Sequence, residues 1–366
     1  MLARKSTLSI INGHATKVKY EFNIKCKVII GTLFIVIIIK AMAALTNIPT
    51  TNKLTWINYF DHFLARCGVN RMEHKVNSGL YSLGNPNQDS PIFVTANYTL
   101  SFDSLRSSLL GMNVYILVMD TNGINVWCAA GKGTFGTARL IELINSLNLD
   151  LVVRHRNIIL PQLSASGVSG YEVKRQTGFQ VEFGPVRAAD LPEYLESHQA
   201  TPEMRQVKFA LSDRMILIPV EIMNLLLPFI LASLALFLLG GLFSVLAASA
   251  TVLAGTVLFF IFFPWIPTRD FSTKGLILGL AVAVPFTISQ FNHVDRPWLT
   301  NLIGALSFLL LIPAATGYIT LNMTGSTPIT SRTAVKKEIY KYIPILAWMA
   351  AVGILFILLQ FLVAGK

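Results

Sequence analysis

One cysteine, Cys128, lies in a run of small residues where a thiol could act as a soft metal ligand or as a nucleophile. Residues 125–133 read Asn-Val-Trp-Cys-Ala-Ala-Gly-Lys-Gly. Asn125 is a favoured N-cap residue, so we predict a short helix that begins after it and carries Cys128 in its first turn. The helix dipole and the nearby Lys132 would stabilise a thiolate at that position.

The residues that follow Cys128 are small, which favours a flat ligand over a compact substrate. Residues 129–131 would leave a nearly flat surface around the thiolate, and Gly131 and Gly133 would let the backbone approach a ligand closely. The sequence therefore favours a planar cofactor that lies face-on against this helix. The alternative is a buried structural cysteine beside a core tryptophan, Trp127, which is the commoner role of a cysteine.

Two nucleotide-binding motifs overlap this segment, and both lack the required context. Residues 131–136 match G-x-G-x-x-G, but ten residues separate Gly131 from Asp120, where the preceding strand is predicted to end. The dinucleotide fingerprint places its first glycine directly at the strand end. A phosphate-binding loop also fails, because Val126 stands where its first glycine belongs and Gly133 where Ser or Thr belongs.

The composition is that of a membrane protein. Hydrophobic residues make up 53% of the 366 residues and charged residues only 13%, which argues against a disordered chain and against an ordinary soluble enzyme. The net charge of +11 comes from basic residues that flank apolar segments, so we expect no nucleic-acid partner. Three cysteines, widely spaced, are too few for a disulfide framework or a zinc site.

Residues 1–52 form an atypical N-terminal extension with a short apolar segment. The apolar run at residues 28–39 is followed by Lys40, and it is too short to span a bilayer unless that lysine reaches the surface. The extension is either a loose extra anchor or sequence upstream of a start at Met42. In the second case we expect residues 1–41 to be dispensable for membrane insertion and activity.

Residues 53–213 predict an α/β domain with a mainly parallel, Rossmann-like sheet. Short apolar runs rich in β-branched residues alternate with amphipathic stretches, which is typical of βαβ units. Strands are predicted at residues 91–95, 114–119, 151–153, 157–160 and 179–183, and helices at residues 102–110 and 137–147. Ser101 or Asp103 could cap the first of these helices.

Residues 214–366 predict an all-α transmembrane domain of five helices. The apolar segments are at about residues 215–238, 241–263, 275–291, 299–321 and 342–363. The loops after the second and fourth segments carry the basic residues, which places the α/β domain in the cytoplasm and the C-terminus outside the cytoplasmic membrane. The near absence of ionisable residues within the segments argues against an ion-coupled transporter.

Residues 125–133 closely resemble the cap-helix signature of the corrinoid proteins of microbial mercury methylation. That family is a membrane-anchored relative of the corrinoid iron–sulfur protein of the acetyl-CoA pathway. Other blocks that resemble it are residues 79–81, 89–91, 94–98, 100–103, 155–156, 160–163, 184–188, 190–192 and 203–205. The similarity extends over roughly residues 53–363, whereas residues 322–330 follow the family pattern only loosely and residues 1–50 have no counterpart.

The resemblance implies a cobalamin-type corrinoid, bound base-off, whose cobalt takes Cys128 as its lower axial ligand. A thiolate in that position would favour transfer of the methyl group as a carbanion equivalent to mercury(II), forming methylmercury. Thr95 and Ser101 are further candidates for corrinoid contact, with helix capping as their alternative role. The remaining corrinoid-binding residues implied are Asn125, Val126, Trp127, Ala129, Ala130, Gly131 and Lys132.

The resemblance also implies partners. The chain has no cysteine pattern for an iron–sulfur cluster, so the reductant would be a separate ferredoxin-like protein with two 4Fe–4S clusters. The methyl donor would be linked to methyl-tetrahydrofolate. Two alternatives stay open: a paralogous membrane corrinoid methyltransferase with a different acceptor, and a corrinoid-binding membrane sensor without turnover.

Overall fold

The computed structural model describes residues 47–292, 296–327 and 330–364. The predicted N-terminal apolar segment, Met42 and Cys26 lie outside these ranges. The described chain forms two compact units. The sheet unit contains the residues up to Tyr59 together with Met72–Arg205, and the helical unit contains Phe60–Arg71 and the residues from Gln206 onward.

A six-stranded sheet forms the centre of the sheet unit. Its strands are β1 (Asn47–Thr50), β2 (Gly79–Leu83), β3 (Ile92–Ala96), β4 (Val114–Met119), β5 (Asn157–Leu160) and β6 (Gln180–Phe183). They are arranged in the order β1-β2-β4-β3-β5-β6, and every neighbouring pair is parallel except β2 with β4. The prediction of a mainly parallel sheet is confirmed, and the sheet begins at Asn47, before the predicted domain start at residue 53.

Helix α1 (Trp56–Arg66) follows β1 in the chain, and most of its residues belong to the helical unit. The other helices of this part of the chain cover both faces of the sheet. They are α2 (Thr99–Ser108), α3 (Val126–Lys132), α4 (Thr137–Ser146), α5 (Leu149–Val152), α6 (Gly170–Thr177) and α7 (Leu191–Ser197). Because successive strand residues face opposite sides, β3 contributes Val94 and Ala96 to a core with α3, α4 and α6, and Phe93 to a second core with α2 and α7. The cysteine-bearing helix therefore lies on one defined face.

Two local predictions for the sheet unit are wrong. The strand predicted at residues 151–153 is the short helix α5, because Leu149 turns into the core after Asn148, which has φ 46°. Helix α2 begins at Thr99, after Tyr98, so neither Ser101 nor Asp103 caps it. The backbone N–H of Thr99 donates to the carbonyl of His74, and this distant contact, invisible in the local sequence, begins the helix early.

The helical unit contains the long apolar helices. They are α8 (Leu211–Met215), α9 (Ile218–Leu253), α10 (Phe259–Phe262), α11 (Phe271–Phe291), α12 (Trp298–Asn322) and α13 (Arg332–Ala364), with a π-helical turn at Ala254–Leu258. Within the described ranges, four helical stretches are long and apolar enough to cross a membrane: Leu211–Phe262, Phe271–Phe291, Trp298–Gly325 and Thr333–Val363. The prediction of several apolar helices is confirmed, and the count of five stays a prediction.

The first apolar stretch folds back on itself. It contains 52 residues, which as one straight helix would extend about 78 Å at about 1.5 Å per residue. Gly241, inside α9, has φ 64° and ψ −163°, which interrupts the helix. An Nη1 atom of Arg214 donates to the carbonyl of Phe260 at 2.5 Å. The two ends of the stretch therefore meet.

The beginnings of α11 and α13 lie at the same end of the helical unit. Lys341 forms an ion pair with Asp270 at 2.7 Å, and the hydroxyl of Tyr342 donates to the same carboxylate at 2.7 Å. The backbone N–H of Ser272 donates to the buried carboxylate of Glu338 at 2.7 Å. The two basic loops predicted after the second and fourth apolar segments are therefore neighbours in space. Most of the second one is helical and forms the first turns of α13.

A buried ion pair in α2 provides a test of the sheet unit. Arg106 contacts Asp103 at 2.6 Å with both side chains almost fully buried, and its guanidinium donates to the carbonyls of Thr51 and Lys53. We expect Arg106→Gln to lower the free energy of unfolding by about 3 kcal/mol, because it leaves the Asp103 charge without its cation. Chemical denaturation of the purified protein would measure the loss.

The matched control is Arg175→Gln in α6, since Arg175 pairs with Glu172 at the same spacing and distance, 2.6 Å, but is largely exposed. We expect this substitution to cost less than about 1 kcal/mol. Equal losses in the two variants would contradict the structural role of the buried pair.

Candidate functional site

Helix α3 has the local geometry that the sequence predicts. The side-chain Oδ1 of Asn125 accepts a hydrogen bond from the backbone N–H of Cys128 at 2.9 Å, so Asn125 is the N-cap. The helix ends after seven residues at Gly133, which has φ 83°, a left-handed conformation that glycine adopts without strain. Cys128 therefore lies in the first turn.

One face of α3 packs on the core and the other is open. Val126, Ala129 and Ala130 are buried, Trp127 and Cys128 are half-buried, and Asn125, Gly131 and Lys132 are exposed. Positions three and four apart share a helix face, so Cys128, Gly131 and Lys132 form an outer face. Cys128 is thus a half-buried residue beside Gly131, which has no side chain.

This outer face lies at the edge of the sheet where ligands bind in open α/β folds. Helix α3 follows β4, which ends at Met119, and the parallel strands β3 and β5 flank the same edge. The segment after β5 packs closely on α3, since a Cβ atom on Gly167 would lie 2.9 Å from Cα of Ala130. Ligands in such sheets bind beyond the carboxyl ends of the strands.

Asn97 fixes the turn that leads into α3. It follows β3, is 3% exposed, and its Oδ1 accepts hydrogen bonds from the backbone N–H groups of Thr121 and Gly123 at 3.0 and 3.1 Å and from the Thr121 hydroxyl at 2.9 Å. Its Nδ2 donates to Asp120 at 2.9 Å. Both the oxygen and the nitrogen of the Asn97 side-chain amide are thus hydrogen-bonded, and these bonds hold residues 120–123 in place.

Sequence reasoning missed the role of Asn97. The available signal was its position: an amide directly after a buried strand, at the edge where the loops of a parallel sheet collect. What could not be read locally was its partner segment, which lies more than twenty residues later in the chain.

Thr95 and Ser101 lie on the other side of the sheet from α3. Thr95 is buried in β3 with the same alternation as Phe93, which faces the core formed with α2. Ser101 is in the first turn of α2. The structure does not place these two residues on the outer face of α3, so their contact with a ligand stays a prediction.

Other ionisable groups of the sheet unit have structural partners. A ring nitrogen of His155 lies 2.8 Å from the carbonyl of Ser90. Burial, together with a hydrogen bond to Glu182, raises the pKa of Tyr194. Across the described residues, no group of three or more His, Cys, Asp or Glu side chains is placed to hold a metal ion.

Comparison with known proteins finds similarity over the part of the chain that contains the candidate site. Residues 68–195 match the family model of the CO dehydrogenase/acetyl-CoA synthase delta subunit. The acetyl-CoA decarbonylase/synthase complex subunit gamma of Methanopyrus kandleri is 33% identical over 128 residues, which are 34% of this chain and 27% of the relative. The corresponding subunit of Methanocaldococcus jannaschii is 31% identical over 130 residues, 35% of this chain and 26% of the relative.

The chain therefore spans about a quarter of the length of these curated relatives. The matched residues include β2 to β6 and helix α3 with Cys128. The similarity concerns the sheet unit, and the long apolar helices of the helical unit lie outside the matched region.

Asn97→Ala tests how the turn before α3 is held. Removing the amide leaves two buried backbone N–H groups without an acceptor, so we expect the free energy of local opening at residues 120–128 to fall by about 2 kcal/mol. Hydrogen exchange followed by mass spectrometry would measure this as faster exchange in that segment.

Asn113→Ala is the control, because the Asn113 side chain accepts from a backbone N–H of Asn85 at 2.8 Å in an exposed turn elsewhere in the sheet unit. It should leave exchange at residues 120–128 unchanged. Unaltered exchange there in Asn97→Ala would show that the turn does not depend on the amide.

Proposed function

We propose that the sheet unit binds a corrinoid, base-off, on the outer face of α3, with the sulfur of Cys128 as the lower axial ligand of cobalt. The observation that carries this proposal is the half-buried thiol in the first turn of a capped helix, beside Gly131, at the carboxyl edge of parallel strands. The match of residues 68–195 to the CO dehydrogenase/acetyl-CoA synthase delta subunit family supports it, as does the similarity to gamma subunits of acetyl-CoA decarbonylase/synthase complexes.

The donor set around Cys128 suits a metal that arrives inside a macrocycle. A single thiol is too few ligands to retain a metal ion, and the described residues offer no ligand cluster. A corrin ring brings four equatorial nitrogens, so one soft axial donor suffices. The residues that face outward, Asn125, Gly131 and Lys132, would lie under the ring, whereas Val126, Ala129 and Ala130 hold the helix to the core.

The proposed reaction is methyl transfer to mercury(II). A bound corrinoid would supply a methyl group carried on cobalt. The Cys128 sulfur, as a strong and soft donor, would favour departure of that methyl group with its electron pair, which an electrophilic mercury(II) ion accepts to form methylmercury. The resemblance of residues 125–133 to the mercury-methylation family supports this acceptor, together with a ferredoxin-like reductant and a methyl-tetrahydrofolate-linked donor.

Cys128→Ala tests the role of the thiol. The substitution removes the ligand with little change in volume, so we expect the purified full chain to fold, to lose the visible spectrum of a thiolate-ligated corrinoid, and to lose methylmercury formation. Cys128→Ser should behave in the same way, because a neutral hydroxyl is a hard and weak donor.

Cys67→Ala is the matched control, since Cys67 is the other described cysteine and is also half-buried. It should retain both the spectrum and the activity. Methylation by Cys128→Ala near the native rate would exclude thiolate ligation, and a native protein that stays colourless after reconstitution with corrinoid would exclude the cofactor itself.

The acceptor is tested separately from the cofactor. If the native protein binds corrinoid and methylates a substrate other than mercury(II), it is a paralogous methyltransferase. If it binds corrinoid and never transfers a methyl group, it is a sensor. Both results leave the proposed ligation intact and overturn the proposed reaction.

We also propose that the helical unit crosses the cytoplasmic membrane five times. Two arms separated at Gly241 would supply two crossings, since Arg214 and Phe260 meet at the end of the first apolar stretch. Helices α11, α12 and α13 would supply the other three. The basic residues beside Asp270 and at the start of α13 lie at one end, which favours that end as cytoplasmic.

A reporter fused after Lys366 tests this count. Five crossings place the C-terminus outside when the sheet unit is cytoplasmic, so we expect alkaline phosphatase fused there to be active and a cytoplasm-dependent fluorescent protein to be dark. The reverse pattern would favour four crossings, with the first apolar stretch entering and leaving by the same side without spanning.

A further inference from the structure

Helix α1 exposes a stripe of aromatic side chains. The exposed fractions are Trp56 75%, Tyr59 61%, Phe60 55% and Phe63 58%. These positions have the spacing of a single helix face, whereas His62 and Ala65 on the opposite side are buried. A contiguous apolar patch of this kind marks a contact surface.

The end of α1 adjoins the beginning of the first apolar helix. Phe60–Arg71 belongs to the helical unit. A Cβ atom on Gly68 would lie 3.3 Å from a methyl group of Val220, which is in the first turn of α9. Where an apolar helix begins, a membrane protein passes from water into the bilayer, so this segment is at the depth of the boundary.

The composition and length of α1 select a lipid surface as the occupant. Tryptophan and tyrosine are enriched at the membrane–water boundary, and the exposed Lys53 and Arg71 on either side of α1 suit anionic headgroups. With 11 residues, α1 is about 16 Å long and cannot span about 30 Å of hydrocarbon.

We propose that α1 lies in the plane of the membrane interface, with Trp56, Tyr59, Phe60 and Phe63 inserted between the headgroups and the upper acyl chains. The placement depends on the helical unit being embedded in a bilayer and is independent of the corrinoid. It adds to the membrane-spanning helices a lateral contact that would fix the segment joining β1 to β2 at the lipid surface.

The fluorescence of Trp56 tests this placement in the full chain. The protein and its Trp56→Phe variant are reconstituted into nanodiscs that contain phosphatidylglycerol, and the difference between their emission spectra isolates Trp56 from the other four of the five tryptophans. Phe resembles Trp in shape, so the variant should fold. We expect blue-shifted emission, loss of most of the Trp56 signal with lipids brominated near the glycerol end, and little quenching by aqueous iodide.

Tyr171→Trp is the matched control, because Tyr171 is an equally exposed aromatic residue, 78% exposed, on α6 of the sheet unit. Its added fluorescence should be quenched by iodide and not by brominated lipid. The proposal is overturned if Trp56 behaves like this control. It is also overturned if Trp56 is protected from both quenchers and dilution removes the protection, since a second copy of the chain would then cover the face.

Discussion

The buried amide of Asn97 is the interaction on which the position of the thiol depends. It joins the end of β3 to the turn after β4, and both its oxygen and its nitrogen are hydrogen-bonded. That turn contains Asn122 and Gly123, both with positive φ, a conformation that asparagine and glycine adopt more readily than other residues. Helix α3 begins directly after it, so the orientation of Cys128 follows from a hydrogen-bond network formed by a residue outside the helix.

In the helical unit, too, side chains distant in sequence satisfy backbone groups at the end of a helix, but there the groups are carbonyls at a C-terminus. Arg214 donates to the carbonyls of Phe260 and Ile261, and Lys274 donates to that of Phe263. Cationic side chains thus satisfy the last carbonyl groups of a helix, where the dipole also favours positive charge. In a bilayer, where unsatisfied backbone groups are costly, these contacts explain why an apolar chain can turn sharply after α10.

The sequence predicted most elements whose signal is local and missed those that depend on distant partners. The cap at Asn125, strand β4 and helix α4 follow from residue types and spacing alone, and all three are present. Strand β2 was missed, because its place beside β4, to which it runs antiparallel, depends on pairing with residues 114–118. The same reason applies to the early start of α2 and to Asn97, whose partners are distant in sequence.

The N-cap of α3 has a consequence for which side chains position 128 can hold. Asn125 captures the main-chain N–H of Cys128 and not its sulfur, and every residue except proline has that group. The hydrogen bond that caps the helix therefore does not depend on which side chain position 128 carries. Side chains with harder or softer donor atoms can therefore be substituted at position 128 without loss of the cap. The effect of the axial ligand on the chemistry can then be measured while the helix that carries the ligand stays the same.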